Sequence, residues 1–345
     1  MKYKHRNFIK NSAIAFGTPH LNSLYSNYDE FEDDDCGLLK NVCDIHVHAS
    51  PDTKGRAVDE IDFALDAKNA GYRAVMYKSN AWSCHDRAFL VRCAVSEFEC
   101  FGSLCMNTCV GDKVNVRAAE LAVETAGNFC KCIWMPTIDS VYQNESEGRK
   151  GVGIPVLSMD GVVLPEVVRV MEICAKADII FATGHSSPHE SLIMAKKAKE
   201  IGVSKFVVTH ANSLIWKLSE DKIKELIDLG AFIEFSYLPC LWGSGTKLPE
   251  FDRMPEPEFI SFVKINPERS FVSTDLGQVG MPNPISGMRN CIELMLNSGV
   301  SKHDVDMLVR ENPAKLLGLV RAFRARESGK VSVNHSEILP TVRCQ

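Results

Sequence analysis

At 345 residues, 45% hydrophobic and 24% charged, the chain is long enough to bury one large core or two modest ones. A formal charge of -5 and a sequence pI near 6.1 give no basic field for nucleic acid or an anionic membrane surface, and polar residues interrupt every apolar run before spanning length. Residues 1–16 are basic and fairly apolar but lack the continuous apolar core of a signal peptide, so a soluble, cytoplasmic protein is expected.

The first 42 residues show no clear periodicity and include an acidic run, Asp29 to Asp35; they are expected to form an N-terminal arm. Regular alternation begins at residue 43. The first strand, Val42 to Ala49, carries Asp44-Ile45-His46-Val47-His48, and i,i+2 spacing on a strand turns both histidines to one face while Ile45 and Val47 pack on the other. A helix over 58–70 ends at Gly71, and the second strand, 73–78, ends in Lys78. The third and fourth strands are expected at 100–106 and 130–136, separated by a helix over 115–127.

The rhythm then breaks. Residues 140–165 form an expected insertion, with a hairpin turning at Asp160-Gly161. It resumes with a helix over 165–176, the fifth strand ending at His185, a helix over 188–201 and the sixth strand ending at His210. The seventh strand, 231–235, contains Glu234; a loop over 238–255 with Trp242, Gly243 and Gly245 suggests a lid; the eighth strand ends at Asp275. Eight strand–helix units without a low-complexity linker predict an α/β fold, a (β/α)8 TIM barrel over 43–320, with a hairpin insertion after strand four and a C-terminal extension over 321–345. No strand is followed by Gly-x-Gly-x-x-Gly, which excludes a classical dinucleotide fold.

Thirteen cysteines are scattered, several within apolar runs, in a chain too long to need a disulfide scaffold. Neither Cys130/Cys132 nor Cys105/Cys109 has a partner pair at zinc-knuckle spacing, so reduced structural thiols are expected.

Singly, His185 can serve a turn, His210 a packed core and Asp275 a helix cap. Together, His46, His48, His185, His210 and Asp275 all end strands at the barrel face where active sites gather, and imidazole plus carboxylate is the donor set of a zinc-type ion. This pattern resembles the amidohydrolase superfamily of metal-dependent barrel hydrolases. The resemblance runs from residue 43 to 320 and includes Asn312-Pro313-Ala314-Lys315-Leu316-Leu317-Gly318, similar to that superfamily's barrel ending. Within it, Asp44-x-His46-x-His48-x-x-Pro51-Asp52 and Lys78-Ser79 resemble a DUF6282-like branch.

The resemblance implies a divalent metal, zinc first and Mn2+ or Fe2+ as other candidates, as one ion or two. His46, His48 and Asp275 would hold the more buried position; His185 and His210 would bind a second ion or assist the first. Water activated by the metal would attack an amide, cyclic amide or lactone bond of a small, carboxylated substrate, with Asp275 as general base and His210 or His185 steadying the oxyanion. Strand four ends without the lysine that bridges two ions in many members. Lys78 therefore keeps three readings: a carboxylated bridge, an ammonium for a substrate carboxylate or oxyanion, or a structural residue paired with Glu234 or another acid. A decarboxylase or other C–C lyase is the alternative chemistry, and a phosphoesterase or non-catalytic metal-binding barrel remains behind it. A homo-oligomer is expected by the same resemblance.

Around this set, Asp52 and Arg56 are expected at the mouth, with Ser79, Asn80, His85, Asn212, Tyr237, Trp242, Trp82 and Trp134 as weaker contacts and His189 on the surface.

Overall fold

Short apolar runs and helical segments alternate from Cys43 to Leu316, and the order of elements follows from that alternation. They are β1 (Cys43–Val47), α1 (Glu60–Asn69), β2 (Ala74–Tyr77), α2 (His85–Ala94), β3 (Glu99–Cys105), α3 (Val116–Glu124), β4 (Cys130–Trp134) and α4 (Val141–Ser146). Next come α5 (Pro165–Ala177), β5 (Ile180–Ala182), α6 (Pro188–Ile201), β6 (Phe206–Val208), α7 (Glu220–Asp228), β7 (Phe232–Ser236) and α8 (Glu256–Val263). The series closes with β8 (Ser270–Ser273), α9 (Pro284–Asn297), α10 (Lys302–Asp306), a π-helical turn (Met307–Glu311) and α11 (Asn312–Leu316). The computed structural model describes residues 37–216 and 218–319; the acidic run and the C-terminal extension expected from sequence lie outside these.

The eight strands pair in parallel in sequence order. At the seam, Asp275 N–H donates to His46 O (2.9 Å) and His48 N–H donates to Leu276 O (2.8 Å), which brings β8 against β1. The sheet is a nearly closed (β/α)8 barrel, as the strand count predicts. The helices stop where the sequence supplies the means. α6 opens with a reciprocal Ser187–Glu190 capping box and ends at Gly202 in the left-handed region, and Asp178 ends α5 the same way.

One apolar cluster takes residues from every strand: Ile45, Met76, Phe101, Cys132, Trp134, Ile180, Val207, Phe232 and Phe271, closed below by Leu316 and Leu317. This is the barrel interior. A larger layer, including Val47, Val75, Ile133, Phe181, Val208, Phe235 and Val272, lies between strands and helices. Ile45 and Val47 therefore do not share a face as strict alternation predicts. The β1–β2 register slips between Asp44 and Val47, and the extra residue turns Ile45 inward next to His46.

Within the insertion the expected hairpin is present: Leu157 bridges Val163 around Asp160-Gly161, and Ser158 N–H donates to Val162 O (2.8 Å). The short helix α4 ahead of it was not foreseen. Two glycines fix the strand-end turns. At Gly277 (φ +126°) a Cβ would lie 1.7 Å from His48 O, and at Gly184 (φ +62°) one would lie 2.3 Å from Met135 O.

Ten described cysteines, among them Cys43, Cys84, Cys105 and Cys130, carry free thiols. Burial pushes Cys43, Cys105 and Cys130 up to about 12, making them inert packing groups.

Candidate metal centre

The strand ends bring His46, His48 and Asp275 to one point. His46 Nε2 and His48 Nε2 each lie 3.1 Å from Asp275 Oδ1. The fully buried His46 Nε2 makes no hydrogen bond among the described residues. His210 approaches from the other side, with Nδ1 3.8 Å from Asp275 Oδ2. The rings of His46 and His210 are 5.0 Å apart, and those of His185 and His210 5.2 Å, so the four histidines form one contiguous cluster.

Each of three rings has its Nδ1 held by a side-chain oxygen. His46 Nδ1 meets Glu234 Oε1 (2.6 Å), His210 Nδ1 meets Ser236 Oγ (2.8 Å), and His185 Nδ1 meets Gln143 Oε1. Such contacts orient the imidazole of a metal-ligating histidine and leave Nε2 for the ion. His185 Nε2 is likewise buried without a hydrogen-bond partner among the described residues.

Two donor groups are close enough to hold an ion: His46 with His48 and Asp275, and His46 with His210 and Glu234. In the second, the Glu234 carboxylate is already occupied: it accepts from Ser273 Oγ (2.7 Å) and His210 N–H (3.3 Å) besides facing His46. The first group offers two nitrogens and a carboxylate oxygen at one point, and fits a divalent cation.

Burial, helped by nearby cations such as Lys78, pushes His48 down to about 3, His210 to about 4 and His185 well below the ordinary imidazole value, so all three are neutral near pH 7. His46 moves the other way. Burial and Lys78 oppose its protonation, but Glu234 and Asp275 outweigh them. Burial also opposes ionisation of the two carboxylates, yet His46 brings Glu234 down to about 2, and His46 with His210 holds Asp275 well below its usual range.

A cavity of about 1180 Å³ opens over this cluster. Its wall includes His48, Lys78, His185, His210 and Asp275, the cations Arg56 and Arg149, and the apolar surfaces of Trp216 and Trp242. Lys78 is buried, with Nζ 4.7 Å from the centroid of Trp134, whose ring also lies tilted 4.8 Å from that of His46. It forms no ion pair among the described residues, and the pairing with Glu234 expected as one alternative is not formed, because Glu234 serves His46.

Arg56 stands at the mouth, its Nε and Nη2 donating to Asp52 Oδ2 (3.0 and 2.8 Å). Asn80 and Trp242 join the wall. Other expected contacts do not. Ser79 caps the following turn, His85 starts α2 away from the cavity, Asn212 braces Ser236, and Tyr237 packs on Phe259. Trp82 and His189 are exposed.

The supporting residues escaped sequence reading. Gln143, Ser236, Ser273 and Thr274 are common polar residues whose roles depend on which strand lies alongside. Asp44 ties β1 to β8 by accepting from Thr274 Oγ1 (2.6 Å) and Thr274 N–H (3.2 Å). Only the Asp-x-His spacing pointed to it.

Fold and site thus define a (β/α)8 barrel with a His/Asp donor set at the C-terminal ends of its strands. The chain belongs to the Family of unknown function (DUF6282), whose model matches residues 41–234. No curated protein matches it. Among solved structures, a mutant organophosphorus hydrolase from Deinococcus radiodurans aligns with TM-score 0.54 at 12% identity, covering 81% of this chain and 94% of its own. An amidohydrolase from Pseudomonas aeruginosa aligns with TM-score 0.53 at 11% identity, covering 82% and 98%. A dihydroorotase aligns with TM-score 0.53 at 12% identity, covering 81% and 69%. At these identities the likeness is one of fold.

Proposed function

We propose that the protein is a metal-dependent hydrolase, with zinc as its ion, that adds water to an amide, cyclic amide or lactone bond of a small carboxylated molecule. The observation that carries this reading is the meeting of two imidazole nitrogens and one carboxylate oxygen at the floor of a large cavity. His46, His48 and Asp275 would hold a divalent cation, which would supply Lewis acidity to polarise a carbonyl and lower the pKa of water.

The chain's own residues do the rest. Asp275 Oδ2 faces the His210 side of the cluster and is the proton carrier between the attacking water and the leaving group. Neutral His210, whose Nδ1 can accept from the Ser236 hydroxyl, turns an Nε2–H toward the developing negative charge, while His185, its Nδ1 facing the Gln143 carbonyl oxygen, keeps an Nε2 lone pair to bind a second ion or assist the first. Lys78, set over Trp134 and in no ion pair among the described residues, binds the substrate carboxylate. Trp216, 4.7 Å from the His185 ring and 5.1 Å from that of His210, shields both from water.

The test is elemental analysis of protein purified without chelator, with native mass of the Lys78 region, followed by a screen of amides, lactones and cyclic amides on zinc-, manganese- and iron-loaded protein. Asp275→Asn is expected to lower turnover by at least about 100-fold, the range for a lost general base, while much of the metal is retained. Protein that binds no ion under metal-replete conditions would overturn the reading. Substrate loss with release of CO2 would replace hydrolysis by a lyase reaction, and a carboxylated Lys78 would move that residue from substrate to metal.

A further inference from the structure

Three contacts run in series from His185 toward the cavity mouth through residues of the insertion. His185 Nδ1 meets Gln143 Oε1, Gln143 Nε2 donates to Glu147 Oε1 (2.7 Å), and Arg149 Nη1 pairs with Glu147 Oε2 (2.5 Å). All four residues line the cavity. The start of α4 is anchored on the same histidine: Ser140 Oγ accepts from Gln143 N–H (3.1 Å) and donates to His185 O (2.9 Å).

We propose that Gln143 is a positioning residue that fixes the tautomer of His185, and that Glu147 sets the direction of the Gln143 amide. The argument is one of donor and acceptor inventory. An ionised carboxylate only accepts, so Gln143 turns its NH2 to Glu147 and leaves Oε1 for His185. A carbonyl oxygen also only accepts, so the imidazole proton resides on Nδ1. Nε2 then keeps its lone pair, in a position that is buried and without a hydrogen-bond partner. With Gln143 removed, nothing on this relay prevents the proton from moving to Nε2, where it would block coordination or acceptance of a proton. The insertion thereby acts on the site and does more than roof it.

The proposal rests on the reading of His185 as a site residue, but its readout does not depend on turnover. Full-length protein labelled with 15N-histidine is examined by long-range 1H–15N NMR, metal-free and with zinc added. The wild type is expected to show His185 protonated at Nδ1. Gln143→Leu is expected to move that proton to Nε2, Gln143→Glu to keep it on Nδ1, and Glu147→Ala to give a mixture. With zinc restored, Gln143→Leu is expected to lose about 10–100-fold in affinity or kcat, the range for such partners, with KM nearly unchanged.

An Nε2-protonated His185 in the wild type, or an unchanged tautomer in Gln143→Leu, overturns the assignment. If Gln143→Leu does not fold, the wild type and Gln143→Glu still decide, because both must show Nδ1 protonation. Elemental analysis of the same samples separates this outcome from a failure of the metal reading: a chain with the expected tautomer and no metal uptake refutes only the latter.

Discussion

Glu234→Gln isolates what the buried carboxylate does for the cluster. In the metal-free protein Glu234 Oε1 lies 2.6 Å from His46 Nδ1 and accepts from Ser273 Oγ at 2.7 Å, with both side chains of the Glu234–His46 pair fully buried. Breaking a buried pair by deleting one partner costs about 3–5 kcal/mol. The amide keeps the shape and one acceptor oxygen, which places the expected loss at about 2–3 kcal/mol, the scale of charge-assisted hydrogen bonds made neutral. At about 2–3 °C per kcal/mol for a chain of this size, Tm of the chelated protein should fall by about 4–9 °C. Metal affinity should fall by about 10–100-fold, because the orienting partner of His46 has lost its charge. Scanning denaturation of chelated protein and competition against a chromophoric zinc chelator measure the two effects. An affinity unchanged within about twofold would refute the orienting role, since that is far below the range for such partners.

The same cluster sets two further outcomes. Chelated protein should lose stability as pH falls from 6.5 toward 4: His48, His185 and His210 have folded pKa values below their ordinary ones, so the unfolded chain takes up protons that the native state refuses. Glu234 adds to the loss below its ordinary 4.5, and His46, raised by its carboxylates, gives the opposite effect as pH rises through its folded value. Chelated samples melted across pH 4 to 8 read this directly, and a flat acid limb would contradict it. Gly277→Ala, which places a Cβ 1.7 Å from His48 O, should cost more than about 4 kcal/mol, as an enforced backbone clash does. Gly299→Ala, with open space around it and φ +75°, should cost only about 1–2 kcal/mol, as judged by Tm.

The barrel was legible because its parallel strands repeat a pattern of short apolar runs ending in polar residues. Five chemistry-bearing residues, His46, His48, His185, His210 and Asp275, fall at those ends. What was not legible depends on lateral register. Ser236 and Ser273 are unremarkable until β7 lies between β6 and β8, and then one orients His210 and the other braces Glu234. The bulge in β1 left no mark in the alternation, so Ile45 was assigned to the wrong face. α4 spans six residues, too few to show helical periodicity, and it carries Gln143. Lys78 was read with Glu234 as one possible partner because both fall at strand ends on the same barrel face, but Glu234 Oε1 meets His46 Nδ1 (2.6 Å) instead.

His210 and Asp275 share a feature that no sequence pattern announced: both adopt left-handed backbone conformations, with φ of 53° and 55°. For a residue with a Cβ this region costs roughly 1–2 kcal/mol, and Asn and Asp tolerate it best. The surroundings over-determine both positions. Asn212 grips Ser236 by two hydrogen bonds of 2.9 Å, and Ser236 holds His210; Asp275 N–H is tied to His46 O. Strain retained at two facing residues of one cluster is the sign of a geometry kept for chemistry. It also dictates how Asp275 is to be probed. Asn keeps the turn and removes the charge, whereas Ala removes the charge and adds backbone strain. Asp275→Ala should therefore be less stable than Asp275→Asn by about 1 kcal/mol in chelated protein, the lower end of the left-handed cost, while both lose turnover alike. Equal denaturation midpoints for the two variants would show that the seam imposes no such strain, and the turn at Asp275 would then be an ordinary consequence of the barrel's closure.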